Sequence, residues 1–163
     1  MTGRLNTAEV KDIWLENVTD IEKPVSYGYK IKVPGYAQAV GKRIFLPVSF
    51  FRLGLAPRFK TGERTHDVYF EYPWSESDTV TIEMPEGFAL DNAEEPQSMK
   101  IANVGNYAVK LEATSERSLR YERQFRFGDN ATILFPANIY PNLKGVFDAV
   151  HEQDGKVLTL RQR

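Results

Sequence analysis

Along VSYGYKIKV, residues 25–33, apolar and polar side chains alternate without a break. Val25, Tyr27, Tyr29, Ile31 and Val33 fall on one side, and Ser26, Gly28, Lys30 and Lys32 on the other. Successive side chains of a strand point to opposite faces, so this alternation predicts a strand with one face on a core. Pro24 opens it and Pro34-Gly35 closes it. On this reading Tyr27 and Tyr29 share the core face with Ile31.

The same period recurs over most of the chain. VKDIWLENV reads as a strand upstream, with Thr19-Asp20 opening the turn. In KRIFLPVSFF, Ile44, Leu46, Val48 and Phe50 share a side. Pro47 has no N–H to give a ladder, which predicts an edge strand or a bulge. Residues 52–65, with Gly54, Pro57 and Gly62, break all periodicity and read as a mobile loop. HDVYFEY then places Val68, Phe70 and Tyr72 on one face. TVTIEM places Val80, Ile82 and Met84 on one face, with Glu83 on the other, and Pro85-Glu86-Gly87 ends it in a turn. YAVKLEA and SLRYERQFRF follow, joined through Thr114-Ser115-Glu116-Arg117. The second turns Leu119, Tyr121, Phe125 and Phe127 inward, and Arg123 interrupts that face. A buried Arg123 requires a partner.

Only near the C-terminus does the period change. In IYPNLKGVFDAVHEQDG, Tyr140, Leu143, Phe147 and Val150 recur at helical spacing. Pro141 suits a first turn, Gly155 suits the C-terminal cap, and the expected helix covers 140–153. Gly145 inside it costs about 1 kcal/mol against alanine. Burying the four apolar side chains offsets this at about 1.5–3 kcal/mol each. A final strand, KVLTL, follows. The prediction is an all-β fold: an antiparallel β-sandwich of about eight or nine strands with one C-terminal helix, in a single domain over 1–163.

Composition narrows the chemistry. With no cysteine, disulfides, thiolate nucleophiles and cysteine metal sites are all excluded. The two histidines, His66 and His151, cannot make a multi-histidine zinc centre. A net charge of −1 gives no electrostatic draw toward nucleic acid or an anionic membrane. The apolar runs are too short to span a bilayer, and no signal peptide is visible in the Met1-Thr2-Gly3-Arg4 opening.

Residues 71–87, EYPWSESDTVTIEMPEG, crowd four carboxylates beside two aromatics. Glycosidase chemistry needs two carboxylates facing each other across a bond, and a calcium loop needs ligands at alternate positions with a closing glutamate. Neither pattern is present, so Glu71, Glu76, Asp78 and Glu83 read as a solvated turn and strand. His66 beside Asp67 raises a Ser-His-Asp set, but no GxSxG motif accompanies it. His151 reads as solvated on the helix. No catalytic, cofactor-binding or metal-ligating residue is assigned. The candidate ligand or docking contacts are Tyr36 and Trp74, placed in turns where a ring can be exposed, and Arg58 in the loop, which can meet an acidic partner. Exposed aromatics of this kind also suit stacking on a glycan.

The order of landmarks supplies a resemblance. DIWLENVTDIEKPVSYGYKIKVPGYA is followed by KRIFLPVSF and then ERTHDVYFEYPWSESDTVTIEMPEGF. After these come NYAVKLEA, SLRYERQFRF and IYPNLKGVFDAVHEQDGKVLTL. Most specific are the S-D-T-V-x-I-x-x-P-E-G run and the Y-P-x-L-K-x-x-F helix. Together they resemble the C-terminal β-domain of unknown function in bacterial transglutaminase-like proteins of the papain-like superfamily. The resemblance implies a non-catalytic accessory domain, the C-terminal piece of a larger protein cut at Met1-Thr2-Gly3. Its partner would be a transglutaminase-like catalytic domain of the same parent chain. It also implies a periplasmic or cell-surface parent. The family's catalytic cysteine has no counterpart here, so no cofactor and no enzymatic activity are expected; the alternative is a carbohydrate-binding module.

Overall fold

A computed structural model describes residues 8–92, 97–101 and 103–163. Met1-Thr2-Gly3, the expected cut start, lies outside the described residues. The chain forms two compact units, Met1–Tyr36 and Ala37–Arg163.

The first unit is an antiparallel hairpin of β1 (Glu9–Glu16) and β2 (Ser26–Lys32). Its register shifts between Lys11 and Trp14, where Asp12 takes a positive φ of 52°. Trp14 lies flat across Gly28, where a Cβ would come within 2.0 Å of the indole. Only glycine permits that approach. The alternation predicted a strand here and the strand is present, but its face is not a core face. Tyr27 is 68% exposed and stacks on Tyr29 at 6.3 Å. A two-stranded ribbon has no second layer of its own to cover it.

The second unit carries two four-stranded antiparallel sheets. One runs β6 (Trp74–Glu83), β10 (Ser118–Phe127), β9 (Gly105–Ser115), β8 (Met99–Ile101). The other runs β3 (Gln38–Val40), β4 (Arg43–Pro47), β12 (Val157–Gln162), β7 (Phe88–Asn92). A two-stranded pair, β5 (Val68–Tyr69) with β11 (Leu134–Phe135), completes it. Twelve strands are thus present among the described residues, against the expected eight or nine. The difference lies in β3, β7, β8 and β11; three of these, β3, β8 and β11, at two or three residues are too short to display a period.

Pro47 ends β4 rather than marking an edge or a bulge. The strand lies inside its sheet, but β3 pairs only with Arg43 to Phe45 and does not reach the proline. After Tyr69 the chain leaves the strand path, so Val68 and Phe70 are buried while Tyr72 is 64% exposed, not on their face.

One face of β10 organises the interior. Leu119, Tyr121, Arg123, Phe125 and Phe127 are all buried along it. Leu119 and Tyr121 join Val48, Met84, Leu158 and Leu160 in the core between the two sheets. Phe125 and Phe127 belong to a second, aromatic core with Phe59, Phe70, Tyr107 and Phe135. The helix α1 (Tyr140–Asp154) covers this core, burying Tyr140, Leu143, Phe147 and Val150 as its spacing predicted. The irregular 52–65 segment is pinned to the same core. Phe59 is 6% exposed against Tyr140 and Phe147, and the Tyr140 hydroxyl donates to the Thr61 carbonyl at 2.6 Å.

Candidate functional site

Arg123 sits at the seam between the two cores, with its side chain 1% exposed. Position 123 has the parity of its apolar neighbours, so the strand turns its guanidinium inward. On the adjacent β6, Trp74, Glu76, Asp78, Val80 and Ile82 share one half-buried face. Asp78 lies directly opposite Arg123 in the ladder, and Glu76 one step further opposite Phe125. The helix ends by bringing Asp154 to the same point.

The resulting network satisfies the buried charge from three sides. Arg123 Nε and Nη2 donate to the two oxygens of Asp154 at 2.6 and 2.7 Å. Nη1 donates to Glu76 Oε2 at 3.0 Å and to Asp78 Oδ2 at 3.3 Å. The Tyr107 hydroxyl donates to Asp154 Oδ1 at 2.9 Å, and the guanidinium lies 5.5 Å from the Tyr107 ring centroid. Glu76 also meets Arg52 Nη2 at 2.6 Å. Burial alone would pull the Arg123 guanidinium down. The hydrogen bond and charge of Asp154, joined by those of Glu76, outweigh that and hold it above its usual range. Burial first, and then the Asp154 charge, push the Tyr107 phenol well above its usual range. Burial likewise raises Tyr121, whose hydroxyl meets Ser49 Oγ at 2.9 Å.

Glu76 and Asp78 are therefore not part of a solvated turn. β6 begins at Trp74 and runs unbroken through them, and both carboxylates face inward to Arg123. Glu71 is exposed and Glu83 stays on the solvent face, as read.

A cavity of about 240 Å³ opens beside the network, with Arg52, Glu76 and Asp154 on its polar side and Trp74, Phe125 and Phe147 on its apolar side. A second depression, about 430 Å³, is lined by Arg58, Tyr69, Phe70, Glu71, Tyr72 and Trp74. Arg58 and Trp74 border both. The Arg58 guanidinium lies 5.2 Å from the Trp74 ring centroid and 5.4 Å from that of Phe70, the cation–π distance. Tyr69 and Tyr72 stand 66% and 64% exposed at the rim. The sequence reading singled out Arg58 and Trp74, and the fold brings them together. Trp74 is not a free turn residue, however. Half-buried at the start of β6, it packs 4.2 Å from the Phe127 centroid. Tyr36 is half-buried in the first unit, its N–H donating to the Val33 carbonyl at 3.2 Å. Sequence reasoning missed Tyr69, although its position between Val68 and Phe70 in an alternating run marks it as outward.

His66 lies with Thr61, Glu63, Arg64 and Thr65 around a separate depression of about 440 Å³. The adjacent Asp67 carboxylate accepts the backbone N–H of Ala137 at 2.8 Å, a structural role. Among the described residues no group of three His, Asp or Glu side chains is placed to hold a metal ion, and no helix is long and apolar enough to cross a membrane.

These features define a β-sandwich domain with an aromatic–cationic ledge. Residues 42–160 match a family described as a domain of unknown function with a solved structure (DUF3858), and the chain belongs to that family. Neither the curated proteins nor the solved structures contain a significant match to it.

Proposed function

We propose that this chain is a non-catalytic interaction domain that packs on, or positions, a transglutaminase-like or peptidase-like catalytic domain of the same parent chain. The observation carrying the reading is the ledge itself. Arg58 lies over Phe70 and Trp74 while Tyr69 and Tyr72 project beside it. Exposed tyrosines and an arginine stacked on aromatics are the side chains that anchor protein interfaces. The interior charges, by contrast, are spent on one another around Arg123, with fork geometry suited to holding a fold. The choice of partner rests on the sequence resemblance described above.

The test is titration of the 163-residue chain with the separately purified catalytic domain of the parent. Tyr72→Ala is expected to weaken the complex without lowering the melting temperature. Arg58→Ala is expected to weaken it with a loss of about 0.5–1 kcal/mol of stability from its contacts with Phe70 and Trp74. An affinity indifferent to both would remove the ledge from the interface. The chain alone is expected to show no transamidase, protease or glycosidase turnover. Reproducible turnover lost in His66→Ala would overturn the non-catalytic reading.

One observation favours a second reading. Tyr69, Tyr72 and Trp74 surround an open depression that also holds Arg58 and Glu71, a combination suited to stacking on a sugar ring and bonding its hydroxyls. A glycan array on the wild type, repeated on Tyr69→Ala and Tyr72→Ala, separates the two readings.

A further inference from the structure

The sheet that carries Arg123 ends on one side in β6, whose backbone pairs with β10 alone among the described residues. An open edge is a row of unmatched N–H and C=O groups, and folds usually shorten it, bend it, or guard it with lysine or proline. The other edges here are treated in those ways. β8 and β3 have three residues each, and β7 carries a register shift against β12. In the hairpin, β1 contains a register shift and Lys11, and β2 carries Lys30 and Lys32.

β6 has none of these devices. It is ten residues long, with no lysine, no proline and no register shift. Its two inward carboxylates, Glu76 and Asp78, are themselves a known edge guard, but both are turned onto cations of their own chain, Glu76 onto Arg123 and Arg52 and Asp78 onto Arg123. Its solvent face is Ser75, Ser77, Thr79, Thr81 and Glu83, all exposed and nearly all uncharged.

We infer that β6 is a self-association edge, and that two copies of the chain pair through it antiparallel about a two-fold axis at Thr79. This register sets Thr79 against its own copy, Ser77 against Thr81 and Ser75 against Glu83. Hydroxyl pairs across strands are favourable and no like charges are opposed. On the inner face Asp78 falls beside Val80 and Glu76 beside Ile82, so each carboxylate keeps its own Arg123. An axis at Asp78 would instead oppose two carboxylates. A two-fold interface must be self-complementary, and the neutral centre of this strand is. The four-stranded sheets of the two copies then run on as one. The inference is independent of what the Arg58–Trp74 ledge binds.

Sedimentation velocity on the full chain across a range of concentrations tests it. A concentration-dependent dimer is expected. Thr79→Lys and Thr79→Glu, on the solvent face, should each weaken it severalfold by setting like charges together, with unchanged circular dichroism. Mixing the two variants should restore association, because lysine then faces glutamate. Alternate amides of β6 should exchange hydrogen more slowly as protein concentration rises. A monomer at every concentration overturns the inference. So does a dimer indifferent to both substitutions, or slowed exchange that appears only with an added extended peptide and never with a second copy.

Discussion

Asp154 meets Arg123 side-on, both carboxylate oxygens taking a guanidinium N–H at 2.6 and 2.7 Å. The pair joins the last residue of α1 to the middle of β10. A carboxylate at a helix C-terminus is unfavourable against the helix dipole, so Asp154 depends on Arg123 as much as Arg123 depends on it. Removing one member of a buried pair leaves an uncompensated charge, at a cost of about 3–5 kcal/mol. Asp154→Ala should fall near 3 kcal/mol, because Glu76 and Asp78 remain on Arg123. Arg123→Met should cost more, since it leaves three carboxylates facing one another. Arg123→Lys should not rescue, because an ammonium cannot bridge Asp154 with a planar fork. Urea unfolding of the three variants checks the order, and an Arg123→Met protein as stable as wild type would refute it.

Stability should also fall at high pH. Tyr107 and Tyr121 both have phenols raised by burial. Above the ordinary tyrosine value, about 10, the unfolded chain loses these protons while the folded chain keeps them. The unfolded state then binds fewer protons, so stability declines as pH rises, by up to about 1.4 kcal/mol per pH unit for each tyrosine. Below that value their contribution is fully present. Melts between pH 8 and 11, values chosen to bracket about 10, should show the decline beginning near the ordinary value. Tyr107→Phe should flatten it, although it also leaves Asp154 one donor short.

Phe147 is the ring around which the aromatic core assembles, with Phe59, Trp74, Phe125 and Phe127 between 5.3 and 6.4 Å away. Phe147→Ala should cost about 3–5 kcal/mol. Trp74→Ala would be nearly silent for a solvated turn residue. Packed on Phe127 and Phe70, it should instead cost about 2 kcal/mol, short of a fully buried ring. Trp74 is therefore a poor probe of the ledge, because its loss mixes stability with binding. Tyr69 and Tyr72, which project freely, are the cleaner substitutions.

The places where sequence reasoning succeeded and failed share a physical cause. The faces of β10 and α1 were legible because Leu119, Tyr121, Phe125 and Phe127, and Tyr140, Leu143, Phe147 and Val150, keep period over a full element. The same parity rule extends from Val80 and Ile82 back through Asp78 and Glu76 to Trp74. Carrying it two steps further would have turned those carboxylates inward. Pro73 and the run of acids argued for a turn instead, and polarity outweighed periodicity. That Arg123 needs a partner was readable, but its identity was not. Asp154 lies 31 residues away on another element, and the β6–β10 register depends on pairing that no local pattern encodes. The hairpin failed in the opposite way. Its alternation is perfect, yet alternation specifies only that the two faces differ, and Tyr27 is exposed.

Two glycines should respond to alanine with opposite signs. Gly128 follows Phe127 at a φ of +90°, and a Cβ there would come within 2.4 Å of Pro73 Cβ. The backbone conformation disfavours any side chain, and Pro73 cannot yield without moving Trp74, which pairs with Phe127 in the ladder. Gly128→Ala should cost more than about 1 kcal/mol and should alter Trp74 fluorescence as its ring shifts against Phe127. Gly145 lies on the exposed side of α1 with nothing within 4 Å of its would-be Cβ. There the only effect of a methyl group is to reduce the freedom of the unfolded chain, so Gly145→Ala should stabilise by about 0.5–1 kcal/mol. Thermal melts of both variants check this. A Gly128→Ala protein that melts with or above wild type would mean that the approach of Gly128 to Pro73 does not set the start of β6.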